Sequence, residues 1–241
     1  MIRLGDIKRI ALNLLYPDEA ICVACSKPIA DAPGGLCAEC AAKLIPIEGE
    51  RCVICGRPIG TDISSQNESL CRDCRHRPLE QRAIGLAPYE HKGTAAELVY
   101  ALKFSTIRSA AAILAQGMAA CIPDSIETLT PVPLYRTRQR ERGYNQARVL
   151  CEEISERTGL PILDALARHT ATHRQMKLDG AKRELNVRGA FRVIEPVAGL
   201  HIAVVDDVRT TGATARECAK ALYESGAFDV FILTATVSVL K

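Results

Sequence analysis

Residues 201–214, HIAVVDDVRTTGAT, decide how the chain is read. His201–Val205 is a five-residue apolar run of the kind that forms a buried strand. Ala213–Ser225 has helical character, with Gly226 placed to cap its C-terminus. Between them stand two adjacent acids, Asp206 and Asp207, and then Thr210, Thr211, Gly212, Ala213 and Thr214. A loop that enters a helix N-terminus meets backbone N–H groups without intrahelical partners and the positive end of the helix dipole, so it stabilises a phosphate. Gly212 permits close backbone approach and the threonines add hydroxyls. Carboxylates just ahead of such a cradle suit the hydroxyls of a sugar whose phosphate lies in the loop. Helix capping by an aspartate is the plainer alternative, but one acid would serve it.

Working outward, the same rhythm continues. Helices are expected over 93–104, with Ala96, Leu98, Val99 and Leu102, and over 108–121. A strand at Thr128–Val132 ends at Pro133, an Arg-rich loop follows, and Ala147–Arg157 is helical up to Gly159-Leu160-Pro161. Residues 191–194 and 230–238 are read as further strands. Strands alternating with helices predict an α/β fold, a parallel sheet flanked by helices on both faces. Its ligand belongs at the carboxyl ends of the strands, in the loops after Val132 and Val205.

The N-terminal third obeys different rules. Of the 11 cysteines in 241 residues, eight form C-x-x-C pairs: Cys22/Cys25, Cys37/Cys40, Cys52/Cys55 and Cys71/Cys74. Two such pairs complete a four-thiolate zinc site, and four complete two. Spacing leaves open whether the pairs combine in sequence or interleave, and one or two structural Zn2+ ions are expected, since a pair could have lost its metal. A thioredoxin-like redox pair would need a surrounding βαβ pattern that is missing here. Cys121, Cys151 and Cys218 are expected to act as small buried hydrophobes.

Leu4, Ile7, Ala11, Leu14 and Leu15 recur at helical spacing, predicting a short amphipathic helix that packs on this module; membrane-surface binding would want more basic residues than it has. Composition shifts near Pro78, which divides the chain into 1–80, a helix plus zinc-ribbon module, and 81–241, the sheet domain. No apolar run approaches a membrane span and no signal-peptide pattern opens the chain, so a cytoplasmic location is expected.

Charge separates the two parts. Residues 1–80 hold 10 Lys+Arg against 11 Asp+Glu, a poor electrostatic footprint for DNA. Residues 81–241 hold 21 against 17, with the excess in 136–148 and 168–192. Those segments suit a polyphosphate, although a solvated basic surface would look similar.

AVVDDVRTTGAT resembles the phosphoribosyl pyrophosphate motif of type I phosphoribosyltransferases. With PVPLYRTRQRERGYNQA (131–147), RHTATHRQMKLDGAKRELNVRGAF (168–191) and the paired cysteines, the chain resembles the ComF/GntX family nearly end to end. The resemblance implies a type I phosphoribosyltransferase-like fold with an N-terminal double zinc-ribbon module, in a protein linked to DNA uptake in natural transformation or to the use of imported DNA. It implies that Asp206 and Asp207 take the ribose hydroxyls, that Thr210, Thr211, Gly212, Ala213 and Thr214 wrap the 5′-phosphate, and that Arg209 fills a variable place. It puts pyrophosphate at Val132, Pro133 and onward to Arg136, with Arg138, Arg142, Gly143, Asn145 and Gln146 as further candidates. A closing loop within 169–190 would offer Arg174, Gln175 and Arg183. Mg2+ would accompany phosphoribosyl pyrophosphate, bound mainly through phosphates and waters. If the chain is a phosphoribosyltransferase, its acceptor is open. Two other classes are carried forward: a non-catalytic sugar-phosphate sensor that docks a ComFA-like helicase through the zinc module, and a single-stranded-DNA binder, which would want stacking aromatics near the basic loops, where only Tyr135, Tyr144 and Phe191 lie.

Overall fold

The computed structural model describes residues 21–29, 35–59, 69–76, 84–104, 107–169 and 187–239. Its centre is a parallel sheet. Strands β1 (Ile84–Leu86), β7 (Asp229–Val237), β6 (His201–Arg209) and β3 (Thr128–Pro131) lie side by side in that order, and β2 (Tyr89–Glu90) pairs with the far end of β7. β6 shows why the sheet is parallel and doubly covered. Ala203 and Val205 point to one face and Ile202 and Val204 to the other, all buried, so the strand is apolar without alternation.

The first face is covered by α3 (Gly93–Phe104), α4 (Ile107–Ala119) and α6 (Gln146–Thr158), which bury Leu98, Leu102, Leu114, Met118, Leu150 and Ile154. The second carries α7 (Ala213–Glu224), with Cys218 and Leu222 against Ile202, Val230 and Ile232. Cys151 and Cys218 are fully buried helix residues, as expected of small hydrophobes, and Cys121 is half-buried. α6 ends at Gly159 with φ +75°, and Gly226 follows α7 with φ +88°, the two left-handed stops expected.

Several expectations are corrected. The strand at 201 does not stop at Val205. It runs nine residues to Arg209, because Val208 and Arg209 keep their register with Thr236 and Val237 of β7. The acid pair is therefore part of the strand end, not of the loop. The Arg-rich segment expected as a loop is the helix α5 (Arg136–Arg142). Arg, Gln and Glu favour helix without giving any apolar period, and Gly143 at φ +75° closes the turn. Phe191–Val193, strand β5, leaves the parallel sheet and pairs antiparallel with β4 (Leu166–Arg168).

The cysteine-rich segment contributes α1 (Ala38–Lys43) and α2 (Arg72–Arg75). It is not separate from the sheet: Val23 is buried in the same apolar cluster as Leu114 and Leu129. Ile47 donates its N–H to the Pro88 carbonyl at 2.8 Å and packs on Ala87 and Val237. The expected helix over 4–15, the boundary near Pro78, and Arg174, Gln175 and Arg183 lie outside the described residues.

Candidate functional site

The cysteine pairs combine in sequence. Cys22, Cys25, Cys37 and Cys40 form one cluster and Cys52, Cys55, Cys71 and Cys74 the other, with the sulfurs of each within 4.8 Å of one another. A tetrahedral ion with Zn–S bonds of about 2.3 Å needs sulfur–sulfur edges of about 3.8 Å. Cys25 and Cys37 are 3.8 Å apart and Cys55 and Cys71 3.5 Å, so both donor sets fit zinc.

The clusters are built from one repeated turn. CVACSKP (22–28) and CVICGRP (52–58) each return the first cysteine's N–H to the carbonyl of Lys27 or Arg57 at 2.8 Å, with a residue of positive φ at the bend, Ser26 or Gly56. Crowded thiols titrate unequally. Burial pushes the Cys22 thiol up, but N–H groups of Cys37, Cys25 and Ala24 outweigh it and bring it to about 6; burial and neighbouring sulfurs push Cys40 up to about 12.

The second candidate site is the carboxyl end of β6. Asp206 is half-buried, and burial together with the charge of Asp207 pushes its carboxyl up to about 8. The Asp207 N–H donates to Asp206 Oδ1 at 2.9 Å, and Lys103 Nζ from α3 lies 2.8 Å from Asp207 Oδ2. On the other side, Thr236 Oγ1 of β7 lies 2.9 Å from His91 Nδ1 and 3.5 Å from the Asp207 carbonyl. Neither acid caps α7, whose N-cap is Gly212 at φ +75° with no side-chain cap. A Cβ there would stand 3.1 Å from Arg209 Nε and from Arg216 Nη1, so both space and backbone call for glycine.

Thr211 Oγ1 accepts from the Ala213 N–H at 3.4 Å, and Arg216 Nη1 donates to the Thr211 carbonyl at 2.7 Å. Gly212 and Ala213 are buried, while Thr210, Thr211 and Thr214 keep partial exposure. Arg209, placed at a variable position by the resemblance, is 5% exposed.

Across the sheet edge, Val132 follows β3 and bonds its N–H to the Val205 carbonyl at 2.9 Å, setting the two candidate loops side by side. Pro133 is half-buried there. Asn145 uses its side chain structurally: Nδ2 donates to the Val132 carbonyl and Oδ1 accepts from Ala147 N–H, both at 3.0 Å, capping α6. Gln146 is buried. Arg136 and Arg138 are exposed on α5 and Arg142 is half-buried near its end. Burial holds the Arg168 guanidinium below its ordinary range; the charge of Arg138 adds to this and that of Asp206 opposes it. Phe191 lies buried 5.5 Å beneath Arg168.

Lys103, His91, Thr236 and Arg57, whose Nη2 donates to the Thr210 carbonyl, escaped the sequence reading, because each reaches the β6 end from a distant segment. Lys103 alone left a trace, as the one cation in the otherwise apolar last turn of α3.

The double zinc ribbon domain family matches residues 11–76. The chain is 33% identical over 224 residues to the DNA utilization protein YhgH of Salmonella typhi, covering 87% of this chain and 93% of that protein. It is 27% identical to the competence protein ComFC of Bacillus subtilis, over 92% of this chain and 85% of that one. Among solved structures, the glutamine phosphoribosylpyrophosphate amidotransferase of B. subtilis matches with a TM-score of 0.39 and 24% identity, over 54% of this chain and 26% of that chain, about a quarter of its length.

Proposed function

The chain belongs to the ComF family of DNA utilization and competence proteins, and from that premise we propose that it binds phosphoribosyl pyrophosphate, or a related sugar phosphate, at the carboxyl end of β6. One observation carries the reading: an acid pair ends a buried parallel strand and is followed, within a few residues, by a positive-φ glycine that opens α7.

Each part has a role. Asp206 and Asp207 accept the ribose hydroxyls, with Lys103 holding Asp207 in place. The N–H groups of the first turn of α7 and the hydroxyls of Thr210, Thr211 and Thr214 take the 5′-phosphate. Pyrophosphate lies toward Val132, Pro133 and Arg136, where Arg138 and Arg142 add positive charge. Mg2+ would be held chiefly by the ligand's own oxygens, and supplies neutralisation of the diphosphate charge when bound. Asn145 serves this site by fixing the Val132 carbonyl and the start of α6. Each charge-assisted contact to phosphate contributes about 1.5–3 kcal/mol.

Isothermal calorimetry with phosphoribosyl pyrophosphate and Mg2+ tests this. Heat is expected from the native chain and none from Asp206→Ala/Asp207→Ala at equal ligand. A native chain silent at millimolar ligand would defeat the proposal. Pyrophosphate release in the presence of candidate bases then tests transfer.

A second reading, single-stranded DNA binding, is favoured by the exposed Arg136, Arg138 and Arg140 on α5. Against it, Phe191 is buried under Arg168 and offers no stacking face. DNA binding that falls steeply with salt and survives the aspartate changes would support it.

A further inference from the structure

We infer that the second cysteine cluster shapes the loop at 210–212, with Arg57 as the positioning residue that joins them. The two ribbons supply their own control. In each, the residue before the turn's proline pairs with the acid between the last two cysteines: Lys27 with Glu39 at 3.3 Å, and Arg57 with Asp73 at 2.6 Å. The first pair is a surface ion pair, with the lysine side chain 66% exposed; Arg57 is 8% exposed. The ammonium of Lys27 carries its donors on a single nitrogen, and it pairs with Glu39. The guanidinium of Arg57 is a planar fork. One branch, Nη1, serves Asp73, while the other, Nη2, donates to the carbonyl of Thr210 in the loop after β6.

The bend residue differs in the same sense. Ser26 suffices in the first ribbon, but a Cβ on Gly56 would come within 2.4 Å of the Gly85 carbonyl oxygen, because the second turn lies directly on β1. Gly85 returns its N–H to the Ile54 carbonyl at 2.6 Å. Gly85 is itself kept bare by Arg209, whose Nη1 occupies the place a Cβ would take. Arg209 then reaches back to Gly212. Arg57 therefore links the second cluster to the Thr210 carbonyl, and Arg209, from the end of β6, fills the space between Gly85 and Gly212 beside it. No equivalent contact links the first cluster to this loop among the described residues.

The consequence is that order in the loop depends on the second ribbon being folded around its metal, and only indirectly on the first. The claim about loop order stands on these contacts alone; its effect on ligand affinity rests on the sugar-phosphate reading above. Arg57→Lys separates the two branches, since a single nitrogen cannot occupy both Nη positions and is expected to stay with the carboxylate of Asp73, the stronger partner, at the expense of the Thr210 bond.

The test compares the native full-length chain with Arg57→Lys, Arg57→Ala and Lys27→Ala, each confirmed by native mass spectrometry to hold the native number of zinc ions. Amide hydrogen exchange is followed in the segment 208–216 without ligand, and affinity for phosphoribosyl pyrophosphate with Mg2+ is measured in parallel. Exchange in that segment is expected to quicken about tenfold in both Arg57 variants, while exchange around the second cluster rises only in Arg57→Ala. Lys27→Ala should leave the loop as in the native chain. Affinity should fall about tenfold in Arg57→Lys. Native-like exchange at 208–216 in both Arg57 variants would overturn the inference, as would an equal effect from Lys27→Ala. If the native chain binds no sugar phosphate, the ligand reading fails while the exchange result still decides the inference.

Discussion

Asp206 carries an unusual demand, since a carboxyl beside a second acid and largely out of water resists ionisation. Its folded value of about 8 lies above the ordinary carboxylate range, so the stability it contributes is complete below about pH 4 and lost as pH rises through 8. Asp206→Asn removes that dependence. Urea unfolding of the ligand-free chain should therefore show the variant gaining on the native protein by about 2 kcal/mol between pH 5 and pH 9, less than the full shift would imply because the side chain keeps some water. Gly212→Ala works in the opposite direction. The alanine must adopt a positive φ with its Cβ against two guanidinium groups, so a loss of about 1–2 kcal/mol is expected in thermal unfolding, together with loss of sugar-phosphate binding. At this scale the acid pair, the threonines and Gly212 were legible because their chemistry is local: consecutive residues on one turn. Lys103 and Arg57 were not, because nothing in a sequence announces that residue 103 meets residue 207, or 57 meets 210.

Elements were legible where an apolar period marks them. α3, α6, α7 and the core of β6 stood out for that reason, and both stops expected of glycine were found. α5 was hidden because a helix with no buried residue carries no apolar stripe. The end of β6 was hidden because polar residues can continue a ladder once a neighbouring strand fixes their register. Strands as short as β1 and β2 have no period to read at all. The ribbons are a special case, in which metal ligation replaces the apolar core as the organising force. Native mass spectrometry should find two zinc ions, and one after Cys37→Ser, with the second cluster still loaded. Because zinc needs deprotonated thiols, lowering pH should release both ions, read by a chromogenic chelator; metal retained in strong acid would contradict the four-thiolate assignment.

At the scale of the whole molecule, the parallel sheet and its doubly covered core followed from pattern, while the docking of the cysteine-rich segment did not. Repeated turns with nearly the same sequence are used differently: Val23 is buried among the residues of α4 and β3, whereas Val53, its counterpart, is 60% exposed. Only the surface that each turn meets makes that difference, and a sequence does not display it. Val23→Ala should cost about 2 kcal/mol in chemical unfolding with both metals retained, and Val53→Ala next to nothing.

The bare backbone seam at Gly56 and Gly85 also bears on how such chains can be cut and recombined. Two main chains that meet without side chains between them leave little room for substitution at either position, and each half presents a surface shaped for the other. A fragment starting at residue 84 would uncover Arg209 and the apolar bed of Val23 together, a sticky and positively charged face in place of a closed one. Ligand screens, gene fusions and chimaeras between relatives should accordingly treat the ribbons and the sheet as one exchangeable block.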